Sequence, residues 1–258
     1  MRKLKDWWRS RGGRRFEPSE ADWRRARESL PLLAGLNPGE AAGLEALAQR
    51  FLRNKALEPV QGFDLTEPMR QLIALQACLP VLELGLHWYQ GWYAVVIYPE
   101  AFVPGHEVED DDGVVWIDQE VKSGESWDRG PVILSWSDVE AGSRLDGYNV
   151  ILHELAHKLD GRSGSTNGCP PLHPGMSGAA WQRAFAAAFD DLGRRVDRGE
   201  DTPIDPYAAE SPAEFFAVVS EAFFEVPERL VEEYPDIYAQ LRAFYLQDPL
   251  ARLNRSRP

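Results

Sequence analysis

His153, Glu154 and His157 stand in the pattern His-Glu-Leu-Ala-His. In a helix, residues four apart share one face with Cβ atoms about 5–6 Å apart, so both imidazoles can meet a single metal ion. Glu154 projects beside them, placed to take a proton from an attacking water. That is hydrolytic zinc chemistry, and the cofactor it implies is one Zn2+ per chain. A chance match to this pattern in a chain of this length is on the order of 1%, so the surroundings must carry the reading. Val150, Ile151, Leu152, Leu155 and Leu159 make the segment apolar almost all round, which predicts a buried helix. Histidines and a glutamate inside such a helix need partners.

A catalytic zinc takes three protein ligands and leaves one position open. The metzincin extension requires Gly at 160 and His at 163, where this chain has Asp160 and Ser163, so that class is excluded. His173 lies 16 residues beyond His157 in a Pro/Gly loop and is a candidate; His87 and His106 fit ordinary polar roles better. The segment 205–224 offers Glu214 and Glu221 on one acidic, strongly apolar helix. They sit two turns, roughly 10 Å, apart, so both cannot bind one ion. Ser211-Pro-Ala-Glu214 is also a capping box with Pro at its first position, so spacing leaves Glu214 open between ligand and cap. Asp160 reads either as a polar helix end or as a hydrogen-bond partner of a metal-bound histidine.

The elements that must position these groups follow from periodicity. Helical patterning runs over 19–57, with a start at Asn37-Pro38, and over 67–80. Trp92–Tyr98, Val114–Val121 and Val132–Trp136 are short, rich in Val, Ile and aromatics, and read as strands. Between the first two, 107–112 holds five acids in six positions, a solvated hairpin loop rather than an EF-hand. Helices return over 145–159, 177–195, 211–225 and 228–246. Ser143 and Asp146 have capping-box spacing, and Gly161 suits a stop. Helices before and after a small sheet predict an α+β fold rather than βαβ repeats. No boundary divides the chain: the expected organisation is a basic flexible arm at 1–16, a single domain at 17–250 and a frayed tail at 251–258.

Composition narrows the function classes. The 258 residues are 44% hydrophobic and carry a net charge of −13, the balance of a globular protein that repels nucleic acid. Residues 1–16 oppose it with a net +6, and Trp7 and Trp8 are their apolar anchors. Neither a membrane span nor a secretory signal is expected. Cys78 and Cys169 make no disulfide framework, and the expected address is the cytoplasm.

The segments GPVILSW (130–136), NVILHELAHKLDG (149–161) and DPYAAESPAEFFAVVSEAFF (205–224) resemble the Mlc titration factor A family of bacterial zinc peptidases. That family is similar to the catalytic domain of anthrax lethal factor, so the resemblance implies a zincin-like α+β metallopeptidase. It covers most of 25–246 and is specific at those three segments. It implies that His153, His157 and Glu214 hold the zinc, that Glu154 is the general base, and that Tyr207 lies over the site and stabilises the oxyanion. On the residues alone, Tyr207 reads equally as a core or surface tyrosine. The resemblance further implies aminopeptidase-like action on short peptides, and a rival role in sequestering an Mlc-like transcriptional repressor. By analogy with similarly built peptidases, Val132–Trp136 is an edge strand onto which an extended peptide adds.

Overall fold

The computed structural model describes residues 18–100, 108–109, 115–116, 130–142 and 144–256. The arm at 1–16 and most of the acidic run at 107–112 lie outside them. The helical region expected over 19–57 is interrupted. Helix α1, Glu20–Glu28, carries a Ser19–Asp22 capping box. A 3-10 turn at Pro31–Leu33 follows, and α2, Pro38–Asn54, starts at Asn37 as its sequence predicts. The chain then enters a strand that periodicity did not reveal, β1, Ala56–Pro59. It is four residues long and too short to alternate visibly.

Helix α3, Glu67–Cys78, leads to β2, Ala94–Tyr98. Strands β3, Val108–Glu109, and β4, Val115–Trp116, pair antiparallel, and β5 is Val132–Ser135. β1, β2 and β5 form one sheet with β2 in the middle, and both pairings are parallel. Parallel neighbours need a crossover, and α3 supplies the one between β1 and β2. The sheet is small and flanked by helices, as expected, but it contains a βαβ unit that the α+β reading had set aside.

Trp136 leaves the strand to begin a short helix, α4, Trp136–Ala141. The helix expected from 145 begins later: α5 is Val150–Asp160, capped by Asn149, whose Oδ1 accepts the Leu152 N–H at 3.1 Å. Residues 144–147 bend instead, with Gly147 at φ +103°. Gly161 ends the α-helix but passes into a 3-10 turn at 161–163. Helix α6 is Gly178–Asp197 and α7 is Pro212–Glu225, capped by Ser177 and Ser211. The single helix expected over 228–246 is two, α8, Pro227–Glu233, and α9, Pro235–Tyr245. Pro235 has no amide hydrogen and clashes with the preceding turn, so the helix restarts there.

The tail is also a correction. Residues 249–256 form helix α10, in which Arg252 is buried and Arg255 pairs with Glu40 of α2 at 2.8 Å. An arginine-rich octapeptide looks soluble by composition, but its stems pack and its guanidiniums find acceptors on the N-terminal helices. One cluster of buried side chains runs from Trp23 to Tyr245. Every residue of α7 from Phe215 to Glu225 is buried, and its apolar residues belong to this cluster. Trp181 stacks on Phe185 at 4.2 Å, and Phe216 and Phe244 meet both or one of them edge-on or tilted.

Candidate metal centre

Helix α5 presents His153 and His157 on one face, with ring centroids 4.8 Å apart and Nε2 atoms 3.2 Å apart. Helix α7 packs beside it and brings Glu214 from its first turn. Glu214 Oε2 lies 3.0 Å from His153 Nε2 and 3.3 Å from His157 Nε2. Ser211 Oγ accepts the Glu214 backbone N–H at 3.2 Å, while the Glu214 carboxylate meets the histidines. Capping of α7 therefore does not consume the Glu214 side chain. Among the described residues, these three form the only group of His, Cys, Asp or Glu side chains able to share an ion.

The geometry suits zinc. Ligands about 2.1 Å from the centre of a tetrahedron stand about 3.4 Å from each other, close to the observed 3.0, 3.2 and 3.3 Å. Two imidazoles and a carboxylate are also a donor set that catalytic zinc takes and that magnesium and calcium do not prefer. Without an ion, His153 and Glu214 hold each other as an ion pair. Burial disfavours charge on His153, yet hydrogen bonds with Glu214 and Glu221 pull its pKa up to about 10. Burial raises Glu214 too, but the two histidines more than offset it and bring its pKa down to about 2. Positive charge is thus favoured where the three side chains meet, and a metal ion would supply it in place of the His153 proton.

Behind the histidine lies a buried polar network. His153 Nδ1–H donates to Glu221 Oε1 at 2.7 Å, which turns Nε2 toward Glu214 and His157 at the metal point. Glu221 Oε2 accepts the backbone N–H of Asn149. The Asn149 amide donates to Gln76 Oε1 at 2.8 Å and to Glu225 Oε1 at 2.9 Å, and Gly147 N–H donates to Glu225 Oε2 at 3.2 Å. Spacing had set Glu221 apart from Glu214 as a ligand of the same ion, and its carboxylate meets the far nitrogen of His153. Its orienting role went unread, as did Asn149, Gln76 and Glu225. The available signal was a pair of glutamates, 221 and 225, inside a helix otherwise apolar enough to be buried.

Glu154 is half-buried. Burial pushes its carboxyl up, and the charges of His153, His157 and Lys158 pull it back. Tyr207 sits on a 3-10 turn, Pro206–Ala209, whose Asp205 Oδ1 accepts the Tyr207 N–H at 2.9 Å. It is 53% exposed, so it is not a core tyrosine. Its ring centroid lies 6.1 Å from that of His153. Burial and the nearby Glu214 and Glu154 raise its phenol, which keeps the hydroxyl a donor at neutral pH.

The remaining candidates resolve differently. His173 Nε2 bonds the Phe244 carbonyl at 2.7 Å and its ring stacks on Phe244. It is a packing residue and is not among the side chains that could share the ion. His87 sits beside Trp88, and His106 lies outside the described residues. Asp160 is fully buried, and its Oδ2 accepts the Gly168 N–H at 2.7 Å. It thus tethers the 161–175 loop rather than ending a helix in solvent. Gly168 has φ +78°, and a Cβ there would fall 2.4 Å from the Pro212 carbonyl oxygen, so this loop seats the first turn of α7 and hence Glu214. Cys78 and Cys169 are both free thiols. Among the described residues no helix is long and apolar enough to cross a membrane.

Similarity to known proteins agrees with this centre. The chain is 45% identical over 230 residues to Mlc titration factor A of Escherichia coli O9:H4 (strain HS), covering 88% of this chain and 87% of that one. It is 46% identical over 227 residues to the protein of the same name from Pectobacterium atrosepticum, covering 87% and 86%. Against the Shigella sonnei protein the identity is 44% over 230 residues, covering 88% and 87%. The profile of the glucose-regulated metallo-peptidase M90 family matches residues 4–246. With nearly the whole sequence matched, and a His-His-Glu cluster at its centre, the chain belongs to the glucose-regulated metallo-peptidase M90 family.

Proposed function

We propose that this protein is a cytoplasmic, zinc-dependent peptidase with a single zincin-like domain, acting on short peptides in the manner of an aminopeptidase. The observation that carries the reading is the convergence of His153, His157 and Glu214 within 3.0–3.3 Å, with Glu154 beside them. Zinc held by those three side chains would polarise the scissile carbonyl and lower the pKa of the attacking water. Glu154 accepts the proton of that water and returns it to the leaving amine. Its raised pKa suits a base that must also give the proton back. Tyr207, with its phenol protonated, donates to the oxyanion as charge develops on the carbonyl oxygen. Glu221 holds the Nδ1 proton of His153 and so fixes the ring's orientation.

Metal content and hydrolysis of a peptide library, measured before and after chelation, test the reading. Activity should vanish with the metal and return with zinc; hydrolysis that survives complete chelation contradicts it. Tyr207→Phe should lose roughly 10²–10³-fold in kcat, as for one oxyanion donor. An unchanged kcat would remove Tyr207 from the mechanism.

A second reading rests on the relatives' name, Mlc titration factor A, shared by chains about 45% identical to this one. In it the protein binds and sequesters an Mlc-like repressor, with or without hydrolysis. The two roles are compatible, and neither involves direct contact with nucleic acid, which a net charge of −13 disfavours.

A further inference from the structure

The loop that leaves α5 closes on the start of α7, and Gly168 is the point of closure. Three helices grip that one residue. Its N–H donates to Asp160 Oδ2 at 2.7 Å, and Asp160 is the last residue of α5, three beyond His157. Its carbonyl accepts Trp181 Nε1–H of α6 at 3.0 Å. Its Cα lies against the carbonyl of Pro212, the first residue of α7 and two before Glu214. A Cβ at 168 would fall 2.4 Å from that oxygen, where real Cβ atoms do not come within 3.0 Å.

The same loop provides its own comparison. Gly164 and Gly175 also have positive φ, +96° and +97°, yet a Cβ on either would meet nothing within 4 Å. Their glycines serve the turn alone. Gly168, at φ +78°, serves the turn and a close approach as well. The anchor beneath it is costly. Asp160 is fully buried, and its Oδ1 has no hydrogen-bond partner among the described residues. A carboxylate in that position works against stability, so packing of the loop is a poor account of it. The geometry it secures is demanding, because a metal ligand must stand within about 0.2 Å of its place.

We propose that Gly168, held between Asp160 and Trp181, is a positioning residue for the third zinc ligand, fixing the start of α7 against the end of α5 and so the distance from Glu214 to the two histidines. The proposal rests on the zinc centre of the reading above and deepens it. Gly168 acts only through Pro212 and Glu214. The helix that carries both histidines thereby also sets the third ligand, through a residue only eight positions beyond its end.

The test is zinc affinity, measured by chelator competition for wild type, Gly168→Ala and Gly164→Ala, each with and without Glu214→Gln. Gly168→Ala should lower affinity roughly tenfold or more while Glu214 is present. On top of Glu214→Gln it should cost less than about twofold, because the residue through which it acts is already gone. Gly164→Ala bears comparable backbone strain without the Pro212 contact, and its affinity should stay within about twofold of wild type. The visible absorption of the Co2+-loaded proteins should change with Gly168→Ala and not with Gly164→Ala. Unchanged affinity in Gly168→Ala, or an equal loss with and without Glu214→Gln, overturns the proposal. If Gly168→Ala does not fold, Trp181→Phe decides by the same criteria: it removes the donor to the Gly168 carbonyl and keeps an aromatic ring against Phe185. A severalfold loss that vanishes with Glu214→Gln supports the proposal, and no loss overturns it. Wild type that binds zinc but hydrolyses nothing sinks the peptidase reading and leaves these affinities to decide. Wild type that binds no zinc overturns both.

Discussion

Glu221 shows how far single residues could be read in advance. Its distance from Glu214 along one helix excluded a shared ion, and the structure agrees: it touches the far nitrogen of His153 instead. Such a carboxylate fixes the tautomer of a ligating histidine and raises its basicity. Glu221→Gln should therefore weaken zinc affinity roughly 10–100-fold in competition with a chelator, with the fold intact. An affinity within twofold of wild type would make Glu221 a mere space-filler. His153, Glu154 and His157 were legible because a helix of known pitch turns their spacing into proximity. Glu214 was not legible from spacing, because Ser211-Pro-Ala-Glu214 serves capping and ligation equally well. Only the packing of α7 on α5 shows its carboxylate free of the cap and among the histidines. Asn149 was hidden for a related reason: its partners Gln76, Glu221 and Glu225 are 73, 72 and 76 residues away.

At the scale of elements, the α5–α7 pair does the positioning, and its polar seam carries a pH signature. Burial lifts the Glu225 carboxyl to about 8, only partly offset by hydrogen bonds from Asn149 and Gly147. A raised carboxylate favours the fold while protonated. Its contribution is complete below the ordinary value of 4.5 and is lost as pH rises toward 8. Glu225→Gln cannot ionise. The stability of this variant relative to wild type should therefore grow as pH rises from 5 to 8, read from denaturant midpoints at fixed metal occupancy. A difference that stays flat across that range would mean Glu225 is ionised throughout. Long, strongly periodic elements such as α2, α6 and α7 were visible in the sequence. Those missed were short or ruled by distant contacts. β1 exists because Ala56–Pro59 pair with Ala94–Ile97, and α10 because α2 and the turn before it offer acceptors to its arginines.

For the molecule as a whole, one buried cluster joins the sheet, the α5–α7 centre and the C-terminal helices. A shared core implies shared cooperativity, so the metal-free protein should unfold in one calorimetric transition with matching calorimetric and van't Hoff enthalpies. Two resolved transitions would contradict the proposed single domain. The same architecture serves two proposed roles, hydrolysis and repressor binding, and Glu154 is the residue that separates them. It is not among the three side chains that converge on the metal point, so it can be changed without dismantling the centre. Glutamine keeps its shape and removes the base. The most direct measurement is therefore the zinc content and peptide turnover of Glu154→Gln, taken on one preparation beside the wild type. One zinc per chain with turnover reduced roughly 10²–10⁴-fold is the result expected of a metal-assisted peptidase with Glu154 as its base. Zinc retained with turnover within a few-fold of wild type would contradict it.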